Sequence, residues 1–424
     1  MKKIIFSLSA LIILLAGCNP NKEIYKQLDA AQGPFTQNIN YTFKDADYTT
    51  TSKLALAYAQ NAQDSANIKA IDTYKSFGPH REASDYVPLF LEATFLAPDS
   101  GSAASITYKY DYSQVFTDNV VITHDTLTQN ANFASLYKDT LKILFPNASK
   151  NDLALVVYLD TTNGANRYKR GVLFQYGDND WVWKSDAYYL TPDDYNSMGV
   201  PGPGSYDNFS DDYPPSHYLP VFLKNKFPYA FEGDSKDIIY KYYDGSVKYH
   251  YAKYFFDGDN WYGYEQKTSL FLKTDKWVFD PTIRFEMSCS DYQIIVDYVK
   301  NNDTLSGYMH PQYDNTEYYF GASSYYCNFD MRVYKRRQND PNGYLTNLSD
   351  EEALKVIFDR LQVALKILLE AKYPDATPTV NGVPLYAEVT FATYEPERHK
   401  YMMKFQCVDV GKFEYVPDSF KMVQ

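Results

Sequence analysis

Aligned with itself at an offset of 132, the chain brings 84–91 onto 216–223 without a gap, and the match runs on to position 110. Eleven of these 27 positions are identical, among them Tyr86/Tyr218, Pro88/Pro220, Phe90/Phe222, Leu91/Leu223, Gly101/Gly233 and Ile106/Ile238. Chance supplies about two, so the chain contains a duplicated supersecondary unit that cannot bury its apolar face alone. A second echo agrees. FQYGDNDW, ending at Trp181, and FDGDNW, ending at Trp261, both read as a hairpin turn followed by a strand that carries a tryptophan.

A third marker divides the chain: 41–48 (YTFKDADY), 189–195 (YLTPDDY) and 285–292 (FEMSCSDY). Thr191 is placed to cap a helix, with Pro192 at its first position and Asp194 three residues after the cap; Ser288 and Asp291 repeat that spacing. In the first copy Lys44 occupies the cap position, so Asp45 is the expected cap. These markers give one unit over 35–184, a second over 185–284 and a divergent third over 285–424.

Each unit reads as short helices followed by an antiparallel meander, with Pro88 and Pro220 expected in the first turn of matching helices. Period-two alternation is plain at 106–112 and 238–251. The third unit holds the longest predicted helix. Ser349 and Glu352 form its capping box, Leu354, Ile357, Phe358, Leu361, Leu365, Leu368 and Leu369 its apolar stripe, and Pro374 its stop; strands at 385–394, 401–408 and 413–416 follow. The fold class is α+β, with the long C-terminal helix packed on antiparallel strands.

The start of the chain carries an address. Lys2 and Lys3 precede an apolar run from Ile4 to Leu15, too short for a convincing membrane span. Leu15, Ala16, Gly17 and Cys18 resemble the lipobox of bacterial lipoproteins. That resemblance implies a signal peptide at 1–17, acylation of Cys18, and a tether at 18–34 leading from the membrane to the folded body. Several acyl chains, at about 0.8 kcal/mol per buried CH₂, anchor durably without a transmembrane helix. Cys289, Cys327 and Cys407 remain, without CxxC spacing; the expectation is three small buried hydrophobes, an odd number allowing at most one disulfide.

Chemistry leaves few marks. Six histidines show no metal-binding spacing, and there is no GxSxG elbow, Walker loop or GxGxxG, so no catalytic residue, metal or cofactor is assigned. Carboxylate pairs from distant strands leave no spacing, so a carbohydrate hydrolase is the alternative function. The doublets Asp193/Asp194 and Asp211/Asp212 read as a helix start and a solvated loop, and the turn at Asp257 as a hairpin rather than a calcium loop. Trp181 and Trp183 share one strand face; Trp181 has a structural counterpart at Trp261, which leaves Trp183 and Tyr262 as the ligand-binding candidates. A net charge of −12 argues against nucleic acid and other polyanions.

The lipobox, the repeated YxPxFL element, 318–330 (YYFGASSYYCNFD) and the capped helix at 349–372 together resemble an uncharacterised family of Bacteroidota lipoproteins. Five triplets starting at Asp64, Asp125, Asp139, Asp160 and Asp303 look like the O-glycosylation sequon of that phylum. The resemblance implies an outer-membrane, lipid-anchored location and supplies no activity. The expected function is a non-catalytic binding or assembly module whose partner is a glycan, a peptide or a component of an uptake complex.

Overall fold

The computed structural model describes residues 35–161, 168–177 and 179–423; the expected leader, Cys18 and the expected tether lie outside them. Among the described residues no helix is long and apolar enough to cross a membrane. The fold is α+β, and contacts divide it into two compact units after Val278.

In the N-terminal unit β1 (Asn38–Thr42) leads through α1 (Asp45–Leu56), α2 (Ala62–Tyr74) and α3 (Ala83–Thr94) to β2 (Ala103–Tyr110). The chain then leaves this sheet. After β3 (Gln114–Phe116) come β4 (Val120–Leu127), α4 (Phe133–Leu144), β5 (Leu153–Asp160), β6 (Tyr168–Tyr176) and β7 (Trp181–Lys184), which form a sheet in that strand order. A third sheet follows from β8 (Tyr188–Tyr189), α5 (Pro192–Ser197), α6 (Pro215–Lys226), β9 (Ser235–Tyr243), β10 (Val247–Phe256) and β11 (Trp261–Tyr262), with β3 added on β10. Only then do β12 (Glu265–Lys273) and β13 (Trp277–Asp280) return to complete the first sheet as β1-β2-β12-β13.

The C-terminal unit runs through β14 (Ile283–Glu286), α7 (Cys289–Lys300), β15 (Ala322–Ser323), β16 (Asn328–Asp330), α8 (Val333–Gln338) and α9 (Asp350–Lys372). The small hairpin of β17 (Thr379–Val380) and β18 (Val383–Pro384) precedes β19 (Tyr386–Tyr394), β20 (Arg398–Asp409), β21 (Lys412–Tyr415) and β22 (Lys421–Val423). Here β14 pairs with β19 in parallel, and β19, β20 and β21 continue antiparallel.

One module therefore recurs in four sheets of the described residues: a strand, a helix, a second strand parallel to the first, then two strands added beyond the second. The expected antiparallel meander accounts for the later strands, whereas the marker strands β1, β8 and β14 pair in parallel across their helices. The sheets also cut across the expected partition. Segment 35–184 contributes to separate sheets, and 265–280 belongs with β1 and β2.

The markers have one physical job. Asp47, Asp194 and Asp291 sit at the third position of their helices and accept the backbone N–H of Lys44, Thr191 and Ser288 at 2.7, 2.8 and 2.8 Å. The following tyrosine hydroxyls accept the backbone N–H of the central strand, Tyr48 from Lys109, Tyr195 from Lys241 and Tyr292 from Ala392, at 2.7, 2.7 and 2.8 Å. Each of these rings leans on one buried phenylalanine, Phe77, Phe209 or Phe329, with centroids 5.4, 5.6 and 5.1 Å apart. Lys44 is the actual N-cap of α1 and Asp45 its first residue; no side chain caps the helix, and the Asp47 N–H is bonded to the Lys44 carbonyl at 2.9 Å.

The ungapped match holds in three dimensions: α3 and α6 are both 12 residues long and start 132 positions apart, as do β2 and β9. Pro88 and Pro220 lie inside these helices rather than in the first turn. The helices begin one residue before the matched serines, so each proline occupies the sixth position and omits one internal hydrogen bond. The helix ends are a further repeat: Phe95, Phe145, Phe227 and Tyr373 donate their N–H to the carbonyls of Leu91, Leu141, Leu223 and Leu369, four fully buried leucines.

In the long helix α9 the capping box of Ser349 and Glu352 is formed, at 2.8 and 3.3 Å. Ala353 rather than the exposed Leu354 starts its buried stripe. The cysteine expectation is corrected too. Cys289 and Cys327 form a disulfide, which leaves Cys407 as the one free, buried thiol among the described residues. Their Cα atoms approach to 4.6 Å because the capped start of α7 faces the loop before β16, a proximity that spacing does not encode. Closing a loop of this length contributes about 4 kcal/mol in the chain-entropy account.

His250 on β10 lies beside the rings of Tyr240 and Tyr242, at 5.5 and 5.0 Å. Burial pulls its imidazole down to about 4, Asp244 opposing and Lys248 adding to the shift. The unfolded chain takes up this proton near pH 6.5. Its contribution to stability is thus present above pH 6.5 and is lost as pH falls toward 4, by about 2 kcal/mol after discounting partial exposure. Urea unfolding at pH 7 and pH 4.5 of the wild type and His250→Gln checks this; an identical acid loss in both would exonerate His250.

Candidate functional site

Trp183 and Tyr262 do not come together. Trp181 and Trp183 share a face of β7, and that face is turned to α4: Trp181 packs on Phe145 and Tyr176, and Trp183 meets Phe133 at 5.3 Å, edge to face. Trp183 is a half-buried packing residue. Tyr262, on the short strand β11, is 36% exposed and rests against Tyr264 at 5.5 Å. Trp181, Trp261 and Trp277 each open the strand after a hairpin turn and are each buried, which makes Trp277 a third copy of the hairpin echo.

The acidic doublets are structural as expected. Asp194 accepts from Thr191, Tyr188 and Lys226, and Asp211 accepts the Tyr242 hydroxyl. At the other turn the Asp257 carboxylate accepts the N–H groups of Asp259 and Asn260, which closes a hairpin. Of the sequon-like triplets, those at Asp64 and Asp139 lie within helices α2 and α4. Among the described residues no group of three His, Cys, Asp or Glu side chains converges to hold a metal ion.

Two clefts carry chemistry. The first, about 640 Å³, opens between α1, α2 and α3 in the N-terminal unit, where Asp64 and Asp85 line it with Asn61, Gln63 and Tyr86. Asp64 accepts the N–H of Gln60 at 2.9 Å, while burial pushes the Asp85 carboxyl up. Both aspartates occupy first turns, where the helix dipole favours them without any ligand.

The second cleft, about 590 Å³, lies in the C-terminal unit. Its floor is the α9 row of Val356, Asp359, Arg360 and Val363, spaced so that they share one helix face beside the buried stripe. Its walls are Leu305 and Tyr308, then Tyr319, then Asn342 and Tyr344. The Arg360 guanidinium lies 4.1 Å from the ring centre of Tyr319 and 5.9 Å from those of Tyr308 and Tyr344. Tyr308 and Tyr319 meet edge to face at 5.1 Å.

A buried scaffold holds this arrangement. Glu317, fully enclosed, accepts the N–H groups of Tyr319, Phe320 and Ala322 at 2.6, 2.9 and 2.6 Å. Arg336, equally enclosed, donates to the carbonyls of Tyr318, Phe320 and Asp330 at 2.7, 2.8 and 3.0 Å, and also to Tyr319. Burial pushes the Glu317 carboxyl up against the pull of Arg336, and draws the Arg336 guanidinium down to about 10, still charged at neutral pH. Gly321 is required between them: its φ is +85°, and a Cβ there would strike the Arg336 guanidinium. Asp340 fixes the opposite wall by accepting the Tyr308 hydroxyl at 2.9 Å and the N–H of Leu345 at 2.7 Å.

The YYFGASSYYCNFD segment was legible as a motif, and Tyr319 in it was available. Tyr308, Tyr344 and Arg360 were not, because no local pattern links them. No protein-family model, curated protein or solved structure matches the chain.

Proposed function

We propose that this is a lipid-anchored protein of the bacterial outer membrane that binds glycan and does not turn it over. The observation that carries the reading is the cleft of Tyr308, Tyr319 and Tyr344 around Arg360, held by the buried Glu317 and Arg336. Tyr344, 56% exposed, offers a flat apolar face to a sugar ring at little entropic cost, Tyr308 and Tyr319 back the arginine, and Asn342 and Asp359 can bond sugar hydroxyls. The anchor rests on the lipobox ending at Cys18.

A carbohydrate hydrolase is the second reading, favoured by one observation: Asp64 and Asp85 line the same cleft, with Asp85 pushed up by burial as a general acid must be. The test is a glycan array and envelope pull-down with the full-length protein in detergent, turnover being assayed on every hit. Retention without turnover, weakened severalfold by Tyr344→Ala, is expected. Turnover abolished by Asp85→Asn would replace binding by hydrolysis. Fatty-acid labelling checks the anchor, since label kept by Cys18→Ser would remove it.

A further inference from the structure

Arg360 has a shape of environment that sugar stacking alone does not require. Its guanidinium is pressed on the Tyr319 ring at 4.1 Å, and the protein acceptor it reaches is the Tyr319 carbonyl at 3.5 Å. Among the described residues it has no carboxylate within ion-pair distance. Arg332 and Arg337 in the same unit each hold an aspartate, at 2.6 and 2.5 Å. Asp359, the nearest acid in sequence, lines the cleft on the outer side of the same helix without closing on it. A guanidinium flanked by aromatic faces is partly desolvated and fixed in plane, so its remaining N–H groups form a fork that suits a planar carboxylate.

We propose that the cleft recognises a glycan through a single carboxylated sugar, a hexuronate, with its carboxylate on Arg360 and its ring against Tyr344. This rests on the glycan-binding reading above and adds the charge of the sugar. Two features set the limit at one carboxylate. The chain carries a net charge of −12, and Asp359 stands at the cleft, so a densely charged polymer is repelled while an isolated acid among neutral sugars is accepted. Asp359 and Asn342 then face hydroxyl groups, which a carboxylate and an amide can accept from or donate to.

The experiment is calorimetric titration of the full-length protein in detergent with a trisaccharide bearing one hexuronate and with its carboxyl-reduced, neutral twin. The acid should bind about tenfold or more tightly than the twin, the increment of a charge-assisted forked hydrogen bond. In Arg360→Gln that ratio should fall toward one, and Arg360→Lys should restore only part of it, because an ammonium lacks the fork. Arg360 is half-exposed, so its variants should fold; Tyr344→Ala, at an exposed position, is an independent check and should weaken the acid as well.

Equal affinity for acid and twin in the wild type, or an unchanged ratio in Arg360→Gln, would overturn the carboxylate assignment while leaving glycan binding in place. If neither trisaccharide nor any arrayed glycan binds, the glycan-binding reading falls together with it. Arg360-dependent capture of a peptide carboxylate in preference to both sugars would also overturn the proposal.

Discussion

Arg336→Met should destabilise the C-terminal unit by about 3–5 kcal/mol, the cost of breaking a buried charged network by removing one member. The guanidinium satisfies carbonyls of Tyr318, Phe320 and Asp330 at once and stands as countercharge to Glu317. Methionine fills most of the volume and none of those roles, so the carbonyls and the carboxylate are stranded away from water. Lysine should rescue little, because one ammonium cannot span acceptors that a planar fork reaches together. Adding Glu317→Gln should recover part of the loss by removing the unpaired buried charge. Urea unfolding followed by circular dichroism, with hydrogen exchange read at 318–330, measures the effect. A loss below about 1 kcal/mol would show that the network does not hold the cleft wall.

Replacing the phenylalanine under each marker tyrosine should cost about 3–5 kcal/mol, and by similar amounts in different modules. Phe77, Phe209 and Phe329 are all fully buried and all lean on a tyrosine that caps a central-strand N–H. Phe209→Ala and Phe329→Ala each leave a cavity and free that ring to move off its hydrogen bond. Tyr195→Phe and Tyr292→Phe should cost less, about 1–3 kcal/mol, since they strand one N–H without opening space. Hydrogen exchange at the Lys241 and Ala392 amides reports both changes. If Phe209→Ala exposes the Lys241 amide while Phe329→Ala leaves the Ala392 amide protected, the two modules are not physically equivalent.

The chain carries further repeat signals. A leucine four residues before an aromatic residue ends α3, α4, α6 and α9, and that aromatic is followed at once by proline in three of them, Phe145, Phe227 and Tyr373. Trp277 after a Lys-containing turn is the third hairpin tryptophan, hidden because its turn lacks the Gly-Asp-Asn signature. Both patterns are local: the helix end marks four copies and the tryptophan three.

Features carried by a few neighbouring residues are thus legible in the chain. The α+β class, the capping boxes at Thr191, Ser288 and Ser349, the hairpins behind the buried tryptophans, and the 27-residue match at an offset of 132 all express helical or strand periodicity and turn chemistry. These depend on neighbours within about four positions. Tertiary structure alone decided the rest. A strand as short as Tyr188–Tyr189 does not specify whether its partner runs parallel, and nothing in 111–264 announces that β12 will return to β2 across two intervening sheets. Cys289 finds Cys327 only because α7 is laid against the loop before β16. Tyr308, Tyr319, Tyr344 and Arg360 likewise become one cleft only when α9 packs its apolar stripe into the core and turns its neighbouring row toward the loops. Burial of that stripe selects the rotation of the helix, and the rotation, which no local pattern encodes, places the arginine among the rings.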